Sequence, residues 1–304
     1  MRVLLVPAAS IAAATERIVA DLRAAGLVVE VGSLDRSSDV SFDIVAGPGT
    51  MCCSAAWFDA NPQLRGLVAA GVGCEGFDLA AAAERSVPIL TGATRESAAA
   101  MAGATILLML ACCHDLPGAQ RAFSEGGRRD IGRARAIDGL TIGVVGYGTI
   151  GRDVVRRLRA WDVTVLVASP SQPPGLLSDG SQSVSLDTLI ACSDLISLHA
   201  ALTPDTRHLI DRARIARMKP GSLLVNTARG GLIDEAALAD ALVGGAIGGA
   251  ALDCFSMEPL PPDSQLRTAP NLILTPHQIG HTAAGAEAVV RTFIDNILKL
   301  SQAS

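Results

Sequence analysis

Apolar residues recur along this chain with two periods. Short β-prone runs at 3–6, 28–31, 42–46, 67–70 and 87–90 are bounded by turn residues, and a helical repeat at 15–25 closes on Gly26. Strands alternating with helices predict a compact parallel-sheet domain at the start of the chain. The same rhythm resumes later, with strands at 140–145, 163–167, 195–198, 223–226, 250–252 and 272–275 and helices at 211–218 and 235–243. Between the two series lies an apolar segment, 98–113. The chain closes with a long amphipathic helix, 283–300, expected to return to the first domain. Residues 124–138, polar and carrying Arg128, Arg129, Arg133 and Arg135, read as a surface connection into strand 140–145.

The stretch from Leu140 to Trp161 is the pivot. A strand containing Ile142, Val144 and Val145 runs into Gly146, Gly148 and Gly151. A helix follows whose apolar face carries Ile150, Val154, Val155, Leu158 and Trp161. A lone G-x-G-x-x-G is a weak signal. Here it follows a strand and opens a helix, as a dinucleotide-binding turn must. Gly146 permits the tight turn, Gly148 lets backbone approach a pyrophosphate, and Gly151 lets helix and strand pack closely. A second glycine cluster, Gly71-Val72-Gly73, ends strand 67–70, where parallel sheets bind ligands; an ordinary turn reads equally well from the residues alone.

Composition narrows the field. A chain of 304 residues suits two domains, and 49% hydrophobic against 18% charged residues provides a sizeable core and argues against disorder. A net charge of −5 and 3% aromatic content argue against a nucleic-acid partner. The cysteines, Cys52, Cys53, Cys74, Cys112, Cys113, Cys192 and Cys254, are odd in number and form no C-x-x-C. They read as buried, reduced thiols of a cytosolic protein, with neither a disulfide framework nor a metal site. The apolar run at the N-terminus is too short for a signal peptide, and 98–113 falls short of the roughly 20 residues of a bilayer span, so a cytoplasmic protein without membrane contact is expected.

Four further motifs carry a resemblance. Met-Lys-Pro-Gly-Ser-Leu-Leu-Val-Asn-Thr-Ala-Arg-Gly-Gly-Leu-Ile-Asp (218–234), Ala-Leu-Asp-Cys-Phe-Ser-Met-Glu-Pro-Leu (251–260), Leu-Thr-Pro-His-Gln-Ile-Gly-His-Thr (274–282) and Ser-Leu-His-Ala-Ala-Leu-Thr-Pro (197–204) stand in the order found in the D-isomer-specific 2-hydroxyacid dehydrogenases. With Gly71–Gly73, the chain resembles that family from about residue 67 to 300; the N-terminal 60 residues match in pattern only. The resemblance implies two Rossmann-like parallel-sheet domains. The outer, flavodoxin-like substrate domain would comprise 1–96 plus 281–304, and the inner NAD(P)-binding domain 97–280. A homodimer built on the apolar helix 98–113 is implied as well.

The same resemblance distributes roles. Arg229 would bind the carboxylate of a small 2-keto acid and polarise its carbonyl, as a bidentate guanidinium can. His277 would be the general acid/base, with Glu258 against its ring. Val72 and Gly73 would offer backbone N–H groups to the substrate carboxylate. Gly146, Gly148, Thr149, Ile150, Gly151, Ser169, Thr227, Ala228, Asp253, His277 and Gly280 would meet the cofactor, NAD or NADP. His199 reads as a packing residue, His114 and His208 as structural, and His281 as a possible lining residue.

Departures from the family pattern matter. Ser169 stands where an acidic residue usually takes the ribose 2′-hydroxyl, so a 2′-phosphate meets no repulsion, yet no adjacent arginine attracts it. Ser97 and Met101-Ala102-Gly103 replace Asn and Val-Ala-Glu, and Ala200-Ala201 replace the more usual residues after the histidine. Reduction of glyoxylate or hydroxypyruvate is the leading expectation. A formate or phosphite oxidiser shares the scaffold, but formate-type relatives carry glutamine where this chain has Glu258. A nucleotide-sensing regulatory protein is a reading from another class.

Overall fold

The computed structural model describes residues 1–34, 41–128, 132 and 134–303; Arg129 and Arg133, which the sequence puts on a surface connection, lie outside them. By internal contacts the chain divides into two compact units, Met1–Ser97 with His281–Ser304, and Ala98–Gly280.

The first unit holds β1 (Arg2–Leu5), β2 (Val28–Val31), β3 (Ile44–Gly47), β4 (Gly66–Ala69) and β5 (Ile89–Thr91) in the order β2-β1-β3-β4-β5, every pair parallel. That order is the flavodoxin-like one. Strands β1, β3 and β4 are buried along nearly their whole length on both faces, which is why they read as apolar runs rather than alternating ones, whereas the edge strand β2 exposes Val28 and Val31. Val3 and Leu5 point to the side of α1 (Thr15–Ala24) and the C-terminal helix Ala283–Gln302, whose Phe293 and Ile297 are fully buried there. Leu4, Val45 and Leu67 point the other way, toward Phe58 and Phe77. The strand expected from Val87 starts at Ile89 because the Val87 N–H still bonds Ala82 O (2.9 Å), closing the helix α3 (Leu79–Glu84) that follows α2 (Ala55–Asp59).

The second unit contains an eight-stranded sheet. Its strands are β6 (Thr141–Val145), β7 (Thr164–Ala168), β8 (Gly175–Leu176), β9 (Gln182–Ser183), β10 (Leu195–Leu198), β11 (Leu223–Asn226), β12 (Gly249–Leu252) and β13 (Leu272–Leu274). The order is β13-β12-β11-β10-β6-β7-β9-β8, parallel except for the β8–β9 edge hairpin. Strand order reverses between β6 and β10, the switch point at which doubly wound sheets bind ligands.

Helix α4 spans Arg95–Cys113, starting three residues before the apolar run does. The reason is a reciprocal cap: Ser97 N donates to Thr94 Oγ1 (3.0 Å) and Thr94 N to Ser97 Oγ (3.2 Å). At 19 residues α4 is long and apolar enough to cross a membrane, unlike the shorter segment read from the sequence. Ala102, Ile106, Met109 and Cys113 bury in one cluster with Ile142, Val144 and Val155. The short helix α5 (Leu116–Ser124) buries no residue, and Phe123 is 87% exposed. No disulfide joins any of the seven cysteines, but Cys52 and Cys192 are exposed, contrary to the expectation of buried thiols. Burial pushes the Cys53 and Cys112 thiols up to about 12.

Candidate active site

The turn after β6 needs glycine twice over. Gly146 takes φ +94°, and a Cβ there would lie 2.6 Å from His199 C and Ala200 N. Gly151, in the first turn of α6 (Thr149–Leu158), would place a Cβ 2.2 Å from Gly146 O. Gly148 is different. A Cβ there meets nothing within 4 Å, and as N-cap it supplies no side chain to the first-turn N–H groups of α6. Open space before an uncapped helix N-terminus, which carries the positive end of the helix dipole, fits a pyrophosphate. Thr149 opens the helix. Ile150 packs its side chain on the core cluster, leaving only backbone to offer a ligand.

His199 supports this turn from below. Its N–H donates to Val145 O (2.7 Å), and its Nε2 pairs with the buried Ser197 Oγ (2.9 Å). Burial pushes the imidazole down to about 4, so the ring is neutral at pH 7 and suited to packing. Beside the turn, where Gly146 N donates to Ala168 O (2.8 Å), Ser169 follows β7 and hydrogen-bonds Ser171 Oγ at 3.0 Å. Tyr147 Oη donates to Asp179, tying the glycine turn to the edge hairpin.

The end of β11 is shaped by Asn226, fully buried, whose Nδ2 donates to Arg229 O (2.9 Å) and whose Oδ1 accepts from Ala228 N (3.0 Å). Thr227 is drawn into the core, its hydroxyl 2.9 Å from Thr105 Oγ1. Arg229 therefore leaves a side-chain-locked turn, with Nη1 donating to Ala228 O (2.7 Å). Gly230 brings the next segment close: a Cβ would sit 1.9 Å from Phe255 C. Only glycine lets that segment, which leads to Glu258, lie against the arginine turn.

Asp253 is buried, and its Oδ1 accepts from Thr275 Oγ1 (2.6 Å), Gln278 N (3.1 Å) and Ile279 N (3.2 Å). These three bonds bracket His277, which takes φ +56°, a left-handed conformation costing a β-carbon residue about 1 kcal/mol. Asp253 Oδ2 is buried with no partner among the described residues. An orphaned buried carboxylate oxygen is costly unless something donates to it, and the carboxamide of a nicotinamide is such a donor. Glu258 in turn accepts from Phe255 N (2.9 Å) and lies against His277 Nδ1 with both oxygens, at 2.9 and 2.8 Å. Nε2 of His277 has no partner among the described residues. Gly280 is buried, and a Cβ there would meet Met101 Cε at 2.4 Å.

The structure thus groups Arg229, Asp253, Glu258 and His277 on linked loops at the carboxyl ends of β11, β12 and β13. Asn226 and Thr275, which hold those loops, have no sequence signature beyond a polar residue closing an apolar strand. Val72 and Gly73 belong to the first unit. There, among the described residues, nothing accepts from the N–H groups of Gly71, Val72 or Gly73, and Val72 is 58% exposed. Successive N–H groups without protein acceptors are donors that a carboxylate can take.

Residues 106–278 match the family described as D-isomer specific 2-hydroxyacid dehydrogenase, NAD binding domain. The chain belongs to this family, and its second unit is a nicotinamide-dinucleotide-binding domain. Among similar proteins, the D-3-phosphoglycerate dehydrogenase of Mycobacterium tuberculosis is 38% identical over 246 residues, 80% of this chain and 46% of that one. The chain thus spans about half the length of that relative. The hydroxypyruvate reductase of Thermotoga maritima is 36% identical over 79% of each chain. The crystal structure of a glyoxylate reductase from Paecilomyes thermophila matches with a TM-score of 0.85 at 26% identity, covering 99% of this chain and 95% of that one.

Proposed function

We propose that the protein is an NAD(P)H-dependent D-2-hydroxyacid dehydrogenase that reduces a small 2-keto acid such as glyoxylate or hydroxypyruvate. The observation that carries the reading is the Glu258–His277 pair, which engages Nδ1 and leaves Nε2 to deliver a proton to the forming alkoxide. Arg229 is assigned the substrate carboxylate and the polarised carbonyl oxygen; the Val72 and Gly73 amides are assigned the substrate carboxylate on their own unpaired N–H groups. When bound, the dinucleotide supplies the hydride. Its pyrophosphate is assigned to the Gly148–Gly151 turn with Thr149 and Ile150 N–H groups, and its nicotinamide end to Asp253 with Thr227, Ala228 and Gly280. Each residue of the chain therefore binds, orients or moves a proton, while the redox chemistry belongs to the cofactor.

The hydroxyl of Ser169, in place of a carboxylate, supports acceptance of NADP beside NAD. Exposed Leu107, Leu116 and Phe123 on α4 and α5 support a homodimer. A cytoplasmic location, with no nucleic-acid or membrane partner, completes the reading. The test follows absorbance of NADH and NADPH separately with glyoxylate, hydroxypyruvate, pyruvate and phenylpyruvate, beside His277→Ala. Oxidation that His277→Ala abolishes is the expected result. Tight NADH binding without turnover on any 2-keto acid would sink the catalytic reading in favour of a nucleotide sensor.

A further inference from the structure

The loop Gly71–Gly73 does not hold itself in place. On one side Gly92 N donates to Gly71 O at 2.9 Å, and Ala70 N donates to Gly47 O at 2.7 Å. On the other side the loop after β3 presses against it with no side chain between. A Cβ on Gly49 would lie 1.7 Å from Gly73 O and 2.6 Å from Gly73 C, closer than any real contact. The approach is mutual: a Cβ on Gly76 would lie 2.2 Å from Met51 O and 2.5 Å from Thr50 C. Between these contacts the backbones are laced together. Gly76 N donates to Gly49 O (2.9 Å), Cys53 N to Gly76 O (2.9 Å) and Asp78 N to Cys53 O (2.9 Å). Neither Gly49 nor Gly76 takes a positive φ, so backbone conformation does not demand glycine at either place. Space does. The Gly92 bond to Gly71 O fixes the peptide plane that carries the Val72 N–H, and the contact at Gly73 O fixes the Gly73–Cys74 peptide that follows, so the loop carrying the N–H groups of Gly71, Val72 and Gly73 is clamped at both ends.

We infer that Gly49, with Gly76 opposite it, is a positioning residue that sets the aim of the Gly71–Gly73 amides and so the affinity for the substrate carboxylate. The inference rests on the assignment of those amides to the carboxylate. A methyl group at Gly49 must displace the Gly73 carbonyl, shifting the Gly73 end of the loop and carrying its N–H groups off their line to the ligand. Proton and hydride transfer depend on other residues and are left intact.

Two measurements separate this inference from its premise. In the wild-type protein with NADH, oxamate, a keto-acid analogue that is not reduced, is titrated against amide resonances. Shifts are expected at Gly71, Val72 and Gly73 and, through the ladder, at Gly49 and Gly76. In Gly49→Ala, KM for the keto acid is expected to rise about tenfold or more, the scale of a lost hydrogen bond to a charged group, while kcat and the NADH Kd hold. Gly76→Ala, which strains the same contact from the other side, should show the same split and serves if Gly49→Ala does not fold. Absence of oxamate shifts at 71–73 overturns the carboxylate assignment and this inference together. Shifts there with Gly49 and Gly76 unmoved, or a KM within about twofold of wild type in a folded variant, overturn the positioning role alone.

Discussion

Glu258 straddles Nδ1 of His277, with its two oxygens at 2.9 and 2.8 Å, and is itself pinned by Phe255 N at 2.9 Å. The ring is therefore held at Nδ1 by a carboxylate that is itself hydrogen-bonded to backbone, and only Nε2 remains for chemistry. Glu258→Gln keeps the shape of the contact but removes the negative charge opposite the ring. Steady-state reduction should show kcat lower by about tenfold to a hundredfold, the range of a general acid poorly supported, with the NADH Kd unchanged. An unchanged kcat would mean that the pair is structural.

Asp253 offers a second test. One of its oxygens is saturated by the turn that carries His277, and the other is buried without a partner. A ligand that donates to the orphan relieves a desolvation penalty that the free protein bears. Asp253→Asn presents an amide N–H there, donor facing donor. Saturating NADH should raise Tm less in this variant than in the wild type, with Kd weakened about tenfold. An equal Tm rise in both proteins would remove Asp253 from the cofactor site.

Two glycines of the turn should separate under substitution. Gly148 has open space where a side chain would go, whereas Gly151 faces Gly146 O at 2.2 Å. Gly148→Ala should fold with wild-type Tm yet bind NADH weakly, because the methyl group occupies the space assigned to the pyrophosphate. Gly151→Ala should lose stability by roughly 1–3 kcal/mol from overpacking, with or without cofactor. Denaturant melts beside fluorescence titrations check both. Loss of stability without loss of affinity in Gly148→Ala would reverse the assignment.

Much of this arrangement is legible in the sequence because it repeats. Parallel strands buried on both faces leave apolar runs, and the dinucleotide turn demands glycine where backbone meets backbone, as at Gly146 and Gly151. What does not repeat is harder to read. Helix α3 is an alanine-rich six-residue segment with no amphipathic period to detect, and α4 begins at a reciprocal Thr94–Ser97 cap that precedes its apolar run. Asn226 locks its own turn through two local hydrogen bonds that no periodicity announces, and Thr275 reaches Asp253 across 22 residues, a relationship set by sheet order rather than by local pattern. The closeness of Gly49 to Gly73 belongs to the same kind: two glycines among many become informative only when the fold opposes them.

His199 carries a prediction about acid stability. Burial holds its imidazole at about 4, against an ordinary value of 6.5 in the unfolded chain. Between those values the unfolded chain binds a proton at this site that the folded protein excludes, so stability falls as pH drops through the window. Above pH 6.5 the contribution is present in full, and by about pH 4 at most some 3 kcal/mol has been lost from this group. His199→Gln reaches Ser197 with an amide that does not titrate. At pH 7 it should cost about 1 kcal/mol through an imperfect hydrogen bond to that buried hydroxyl. Denaturant unfolding from pH 7 to 4.5 should then show a shallower decline in the variant than in the wild type. Parallel slopes would place the acid sensitivity in other groups and leave His199 as packing alone.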